Sequence, residues 1–259
     1  MEGFLICFLL PFIGTLTGSS CVFLLKKGLK GKLEKAMLGF AAGVMVAASV
    51  WSLLIPSMEM IGGTGITRVY PVVIGFLIGV FFLLGLDILV PHQHPQEEKS
   101  EGVRSGISKT TKLVLAITLH NIPEGMAVGV VLAGALQVSS IIPMAAAIAL
   151  AVGMSIQNVP EGLIVSMPIR SAGNSKLKSF LLGALSGCVE PVSVGLTLLL
   201  TESILPLLPY ILAFSAGAMM YVVVEELIPE TQKGEHSNLG TIGFSFGFSM
   251  MMLLDIVLG

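Results

Sequence analysis

The chain has 259 residues, 54% of them hydrophobic and only 12% charged, with a net charge of −2 and a mean hydropathy of +0.93. A soluble domain carries roughly a quarter charged residues, so this composition excludes an ordinary soluble fold, and the lack of a basic surplus speaks against a nucleic acid partner. An all-α integral membrane protein is expected, with bilayer lipid as its solvent.

About 20 apolar residues cross a hydrocarbon core of about 30 Å, and the sequence offers eight such windows, at 3–25, 36–55, 71–90, 113–136, 141–167, 179–200, 205–228 and 239–258. The first, preceded by Glu2, is too long for the apolar core of a signal peptide and reads as a retained span. Cys7 and Cys21 fall on this one helix, roughly 21 Å apart at 1.5 Å per residue, which excludes a bridge between them. With Cys188 they read as small buried hydrophobes. Glycine-rich stretches at 39–49 and 243–249 suit close helix packing in lipid. The connection 91–112 is polar and aperiodic and reads as a mobile cytoplasmic linker. Nothing resembles a soluble domain, so residues 1–259 are expected to form a single transmembrane domain.

Thirteen of the fourteen basic residues lie in the connections after spans one, three, five and seven, leaving Arg68 alone on the other side. The positive-inside rule then places those connections in the cytoplasm and both termini outside. Short connections and a compact chain fit a bacterial cytoplasmic membrane.

Two segments break the apolar pattern: "HNIPEG" at 120–125 in span four and "QNVPEG" at 157–162 in span five. His120 and Glu124 are four residues apart, Asn121 and Glu124 three, and Asn158 and Glu161 again three, so each set projects from one helical face. Spans four and five must run antiparallel, so the faces can meet. With Glu190 of span six they lie roughly 9–17 Å into the core. No lysine or arginine inside the spans can pair with Glu124, Glu161 and Glu190. A carboxylate at that depth is costly unless protonated, hydrated or neutralised by a cation. An imidazole with several carboxylates suits Zn²⁺, Fe²⁺ or Mn²⁺ rather than Na⁺ or K⁺. Pro123 and Pro160 free the carbonyls of Leu119 and Ile156, which predicts a helix kink beside each polar set and a hydrated path.

These motifs, with "EP" at 190–191, "WSLLIP" at 51–56 and "EELIPE" at 225–230, resemble the ZIP divalent-metal transporters, most closely the GufA-type branch, over essentially the whole chain. The resemblance implies eight helices, the first three and last three related by inverted pseudo-symmetry around helices four and five. It implies a primary metal site of His120, Glu124 and Glu161, with Asn121, Gln157, Asn158 and Glu190 completing a second, adjacent site. Some members carry aspartate where this chain has Asn158, so the second site here has one anionic ligand fewer. The divalent metal, Zn²⁺ foremost and Cd²⁺, Fe²⁺ or Mn²⁺ besides, is then substrate, moved into the cytoplasm; no catalytic cofactor is implied. A homodimer is compatible with the sequence.

Other polar residues are weaker candidates. Glu225 and Glu226 could form an exit-side site, and His92 and His94 could catch metal in the loop. Glu235 and His236 read as solvated, Asp87 as interfacial, and Glu59 and Asp255 as guides for cations at the outer ends. The methionines mostly pack the bundle, although Met45 and Met126 could touch a soft ion. Two other functions fit a buried metal set: an intramembrane metal-dependent hydrolase, and a sensor that moves no metal. The first lacks an "HExxH" pair and the second a signalling domain.

Overall fold

The computed structural model describes residues 2–24, 31–61, 65–90, 109–137 and 142–258, and every regular element among them is helical. In chain order the α-helices are α1 (Glu2–Ser20), α2 (Lys32–Ala48), α3 (Ile55–Met60), α4 (Ile66–Leu89), α5 (Lys109–Ala135) and α6 (Met144–Ser171), followed by α7 (Lys176–Gly187), α8 (Val189–Leu199), α9 (Thr201–Ile204), α10 (Leu208–Val222), α11 (Ile228–Gln232) and α12 (Leu239–Leu258). His92 and His94 lie outside the described residues, as does most of the expected loop 91–112; its last residues are already helical, because α5 begins at Lys109.

Seven helical stretches among the described residues are long and apolar enough to cross a membrane: Glu2–Phe23, Lys32–Met60, Val69–Leu89, Met144–Ser171, Lys176–Leu199, Leu205–Gln232 and Leu239–Leu258. The stretch expected as span four corresponds to α5, whose 27 residues reach roughly 40 Å at 1.5 Å per residue. Its apolar run is interrupted by His120, Asn121, Pro123 and Glu124. The second and sixth of these stretches outrun their sequence windows, to Met60 and Gln232, because apolar windows end near Glu59 and Glu230 while the backbone stays helical.

Proline explains the breaks within these long stretches. A proline cannot donate to the carbonyl four residues earlier. Pro56 and Pro229 therefore leave Ser52 and Glu225 without that bond, and both carbonyls lie in π-helical segments, Ser49–Leu54 and Val223–Leu227. Each π segment ends in the same Leu-Ile-Pro sequence. Pro191 does the same to Gly187, where α7 gives way to α8.

The helices pack as two groups. In one, α1 lies against α6 and α7, and α5 against α8; in the other, α2 lies against α12 and α4 against α10. The groups meet along α5 with α10, and along α6 with α2 and α12. Exchanging the first three long helical stretches with the last three, and α5 with α6, maps all of these pairings but α6 with α12 onto one another, and the two π segments exchange as well. Apart from that contact, the pairings match the exchange of halves that the resemblance implies.

Glycine sets the distance within each pair. A Cβ on Gly39 would sit 2.0 Å from the Gly240 carbonyl oxygen, one on Gly79 2.0 Å from Phe214 O, and one on Gly18 2.0 Å from Val159 O. No side chain fits there, and the backbones touch as small residues allow in lipid. Between the groups the contacts are larger side chains, with Leu53, Met154, Met219 and Met251 fully buried.

Gly85, also on α4, has open space where its Cβ would be. Gly79→Leu is therefore expected to lower the thermal unfolding temperature of the purified protein, with overpacking costing about 1–3 kcal/mol. Gly85→Leu should leave it unchanged; equal effects at both positions would contradict this account of the α4–α10 contact.

Candidate metal-binding site

Helices α5 and α6 carry the two polar motifs, and the structure brings them face to face. Gln157 Nε2 donates to Glu124 Oε2 at 2.8 Å and to Asn158 Oδ1 at 2.6 Å. Asn158 Nδ2 donates in turn to Glu190 Oε2 at 2.7 Å, joining α8 to the same network. Asn121 Nδ2 donates to Ser186 O at 3.1 Å, tying α5 to α7. His120, Asn121, Glu124, Gln157, Asn158, Glu161 and Glu190 are all buried, with Glu124 and Glu190 each 1% exposed. The sequence expectation of three helices presenting polar groups at one level is met by direct contact.

Pro123 and Pro160 lie inside α5 and α6, which the structure shows as continuous helices through both motifs. Close approach again depends on glycine: a Cβ on Gly125 would sit 2.6 Å from Glu190 O, and one on Gly162 2.2 Å from Thr15 O. Without those two glycines α5 could not reach α8, nor α6 reach α1.

The network satisfies only part of what it buries. Asn121 Oδ1, Glu124 Oε1, Gln157 Oε1 and Glu161 Oε2 are buried oxygens with no hydrogen-bond donor. Glu161 lies within electrostatic reach of Glu124, Glu190 and Glu226. Among the described residues, no three histidine, cysteine, aspartate or glutamate side chains gather around one point that would take a metal ion. The reason is visible in the hydrogen bonds: the amides of Gln157 and Asn158 stand between the carboxylates and hold them apart.

His120 faces elsewhere. Its Nε2 pairs with Glu226 Oε1, so the lone intramembrane histidine bridges α5 and the π segment of the other helix group. The sequence places Glu226 only as an exit-side candidate beside Glu225, yet the two part company: Glu226 is buried against His120 and Glu225 is exposed. Glu235 and His236 are exposed, as solvated residues should be. Met45 is fully buried in the core, while Met126 lines an apolar groove with Ile122 and Phe214. All three cysteines are free. Glu59 and Asp255 line one cavity of about 170 Å³, and Asp255 Oδ1 accepts from Ser52 Oγ at 2.7 Å. Asp87 accepts from the Tyr221 hydroxyl at 3.1 Å.

Sequence reasoning located helix α1 but missed its part in the site. Thr15 Oγ1 donates to Glu190 Oε1 at 3.0 Å, and Pro11 O accepts from Asn158 Nδ2 at 3.1 Å. A threonine and a proline four residues apart in an apolar helix give no signal of a polar contact. Only the glycines flanking Thr15, at 14 and 18, hint that this face is pressed against a neighbour.

Gln157→Leu keeps the volume but leaves Glu124 Oε2 and Asn158 Oδ1 without their shared donor. In metal-free protein it is expected to cost about 1–2 kcal/mol, the range of interhelical hydrogen bonds in membranes, read as a lowered unfolding midpoint. An unchanged midpoint would show that the network carries no stability.

Comparison with known proteins places these motifs. The profile of a family described as "ZIP Zinc transporter" matches residues 92–255. The chain is 35% identical to zinc transporter ZIP11 of Homo sapiens, covering 95% of this chain and 94% of that protein. It is 36% identical to zinc transporter ZIPB of Bordetella bronchiseptica, over 90% of this chain and 74% of the other. With zinc transporter GufA of Myxococcus xanthus it shares 34% identity, over 95% and 96% respectively.

Proposed function

Because the chain belongs to the ZIP zinc transporter family, we propose that it moves a divalent cation, zinc first among them, into the cytoplasm through the buried set on α5 and α6. In this reading α5 crosses the membrane as span four and brings the count to eight, the whole chain is one transmembrane domain, and both termini lie outside a bacterial cytoplasmic membrane. The bias of basic residues toward one side supports that orientation.

One observation carries the assignment. Four buried oxygens, on Asn121, Glu124, Gln157 and Glu161, have no donor, and no lysine or arginine lies inside the apolar windows of the sequence to supply one. Such atoms are costly in hydrocarbon, and a divalent cation satisfies them and neutralises carboxylates together. Oxygen donors with one imidazole suit zinc and its neighbours in the first transition row. Glu124 and Glu161 are the principal ligands in this reading, and His120, paired with Glu226, is the next group the ion meets.

Glu226 gives the ion a way onward. It sits on the other helix group and already holds His120, so a cation leaving Glu124 and Glu161 meets an imidazole and a carboxylate that span the boundary between groups. Release to the cytoplasm then follows a rearrangement between the groups, in keeping with transport at a site near the membrane midplane. Relatives named as transporters leave the hydrolase and sensor readings without support.

Purified protein in sealed liposomes should take up Zn²⁺, and ranking it against Cd²⁺, Mn²⁺ and Fe²⁺ gives selectivity. Glu124→Ala and Glu161→Ala are each expected to reduce uptake to the level of empty vesicles. Uptake at the parental rate in either variant, or none by a folded parent, would remove the proposed path.

A further inference from the structure

The hydrogen bonds sort the buried oxygens into two classes. Both carboxylate oxygens of Glu190 are taken, Oε1 by the Thr15 hydroxyl at 3.0 Å and Oε2 by the Asn158 amide at 2.7 Å. Asn158 is itself committed, with its second N–H on Pro11 O and its oxygen accepting from Gln157. The open oxygens are those of Asn121, Glu124, Gln157 and Glu161. Glu190 therefore differs from the other two carboxylates: it has donors for both oxygens, while they keep one oxygen each without any.

Thr15 is held in that position by its surroundings. Its backbone carbonyl lies where a Cβ on Gly162 would be, and its side chain fills the space a Cβ on Gly187 would need, 2.7 Å from Thr15 Cβ. The hydroxyl cannot swing away without moving α1 against both α6 and α7. Moving the Glu190 carboxylate off this position toward a cation between α5 and α6 would strand two buried donors, those of Thr15 and Asn158, and an orphaned buried donor costs more than its bond returns when made.

We propose that Thr15 is a positioning residue which, together with Asn158, holds Glu190 as a brace rather than as a ligand, so that the buried set takes one divalent ion on the open oxygens of Asn121, Glu124, Gln157 and Glu161. The inference rests on the transport reading in taking those oxygens as ligands. It departs from the second, adjacent site that the sequence resemblance implies. In this chain the place of that ion is filled by neutral amide and hydroxyl donors. Asn158 is the residue that decides it, because an aspartate there would offer Glu190 no N–H and would add an anionic oxygen.

The test uses the full chain in lipid nanodiscs with Zn²⁺ as the probe. Bound metal is counted by elemental analysis after desalting, and affinity is measured by chelator competition. The parent should hold one zinc per chain and Glu124→Gln none. Glu190→Gln should still hold one, because the Thr15 hydroxyl can reverse and accept from the new amide. Thr15→Val should hold one with affinity weakened about 5- to 100-fold, because Glu190 Oε1 loses its donor and the carboxylate its fixed position behind Asn158 and Gln157. Thr15→Ser, which restores the hydroxyl, should return within about twofold of the parent. Asn158→Asp should raise the count to two.

Two zinc ions on the parent would overturn the brace while leaving the transport reading intact. So would loss of zinc in Glu190→Gln as complete as in Glu124→Gln, or equal effects of Thr15→Val and Thr15→Ser. Full zinc binding by Glu124→Gln would instead overturn the reading of the open oxygens as ligands, and the brace with it.

Discussion

Three carboxylates from three helices, Glu124, Glu161 and Glu190, are buried where the chain supplies no lysine or arginine to meet them. In hydrocarbon an unanswered carboxylate is more expensive than the packing around it can offset, and the arrangement of the helices follows from how each one is answered. Glu190 is answered by neutral donors from α1 and α6. Glu124 is half answered by Gln157, and one oxygen of Glu161 has no donor. The chain thus balances part of its buried charge with its own hydrogen bonds and leaves the remainder unanswered, the feature on which the proposed metal path rests.

That balance requires helices at very short distances. The glycines at 18, 125 and 162 let α1 approach α6, and α5 approach α8, backbone against backbone, with Thr15 on Glu190 and Gln157 on Glu124. The second helix group is built the same way, through Gly39 and Gly79. Its link to the site is Glu226, on a π segment created by Pro229. A π segment shifts the backbone register by one residue and often marks a functional position. Here it lies where the Glu226 carboxylate faces His120 rather than lipid.

Much of this was legible in the sequence, and what was not has identifiable causes. Hydropathy located the long helices because burial in lipid demands apolar side chains all round. It misjudged the ends near Glu59 and Glu230, where helix continues past the apolar run, and it is weakest for α5, whose polar cluster is the site itself. The contact of α5 with α6 could be read from the spacing within "HNIPEG" and "QNVPEG", since positions three and four apart share a face. Two contacts could not be read that way. His120 and Glu226 lie more than a hundred residues apart, so no local period relates them, and Thr15 looks like any small residue of a packed helix. The division of labour among the glutamates was equally hidden, because it depends on which oxygen meets which donor.

The most direct measurement is the position of bound zinc, from anomalous scattering at the zinc absorption edge in crystals of the metal-loaded protein. The account predicts a single principal peak between α5 and α6, within coordination distance of Glu124 and Glu161. A principal peak on Glu190, or in the cavity of Glu59 and Asp255 with none between α5 and α6, would contradict it.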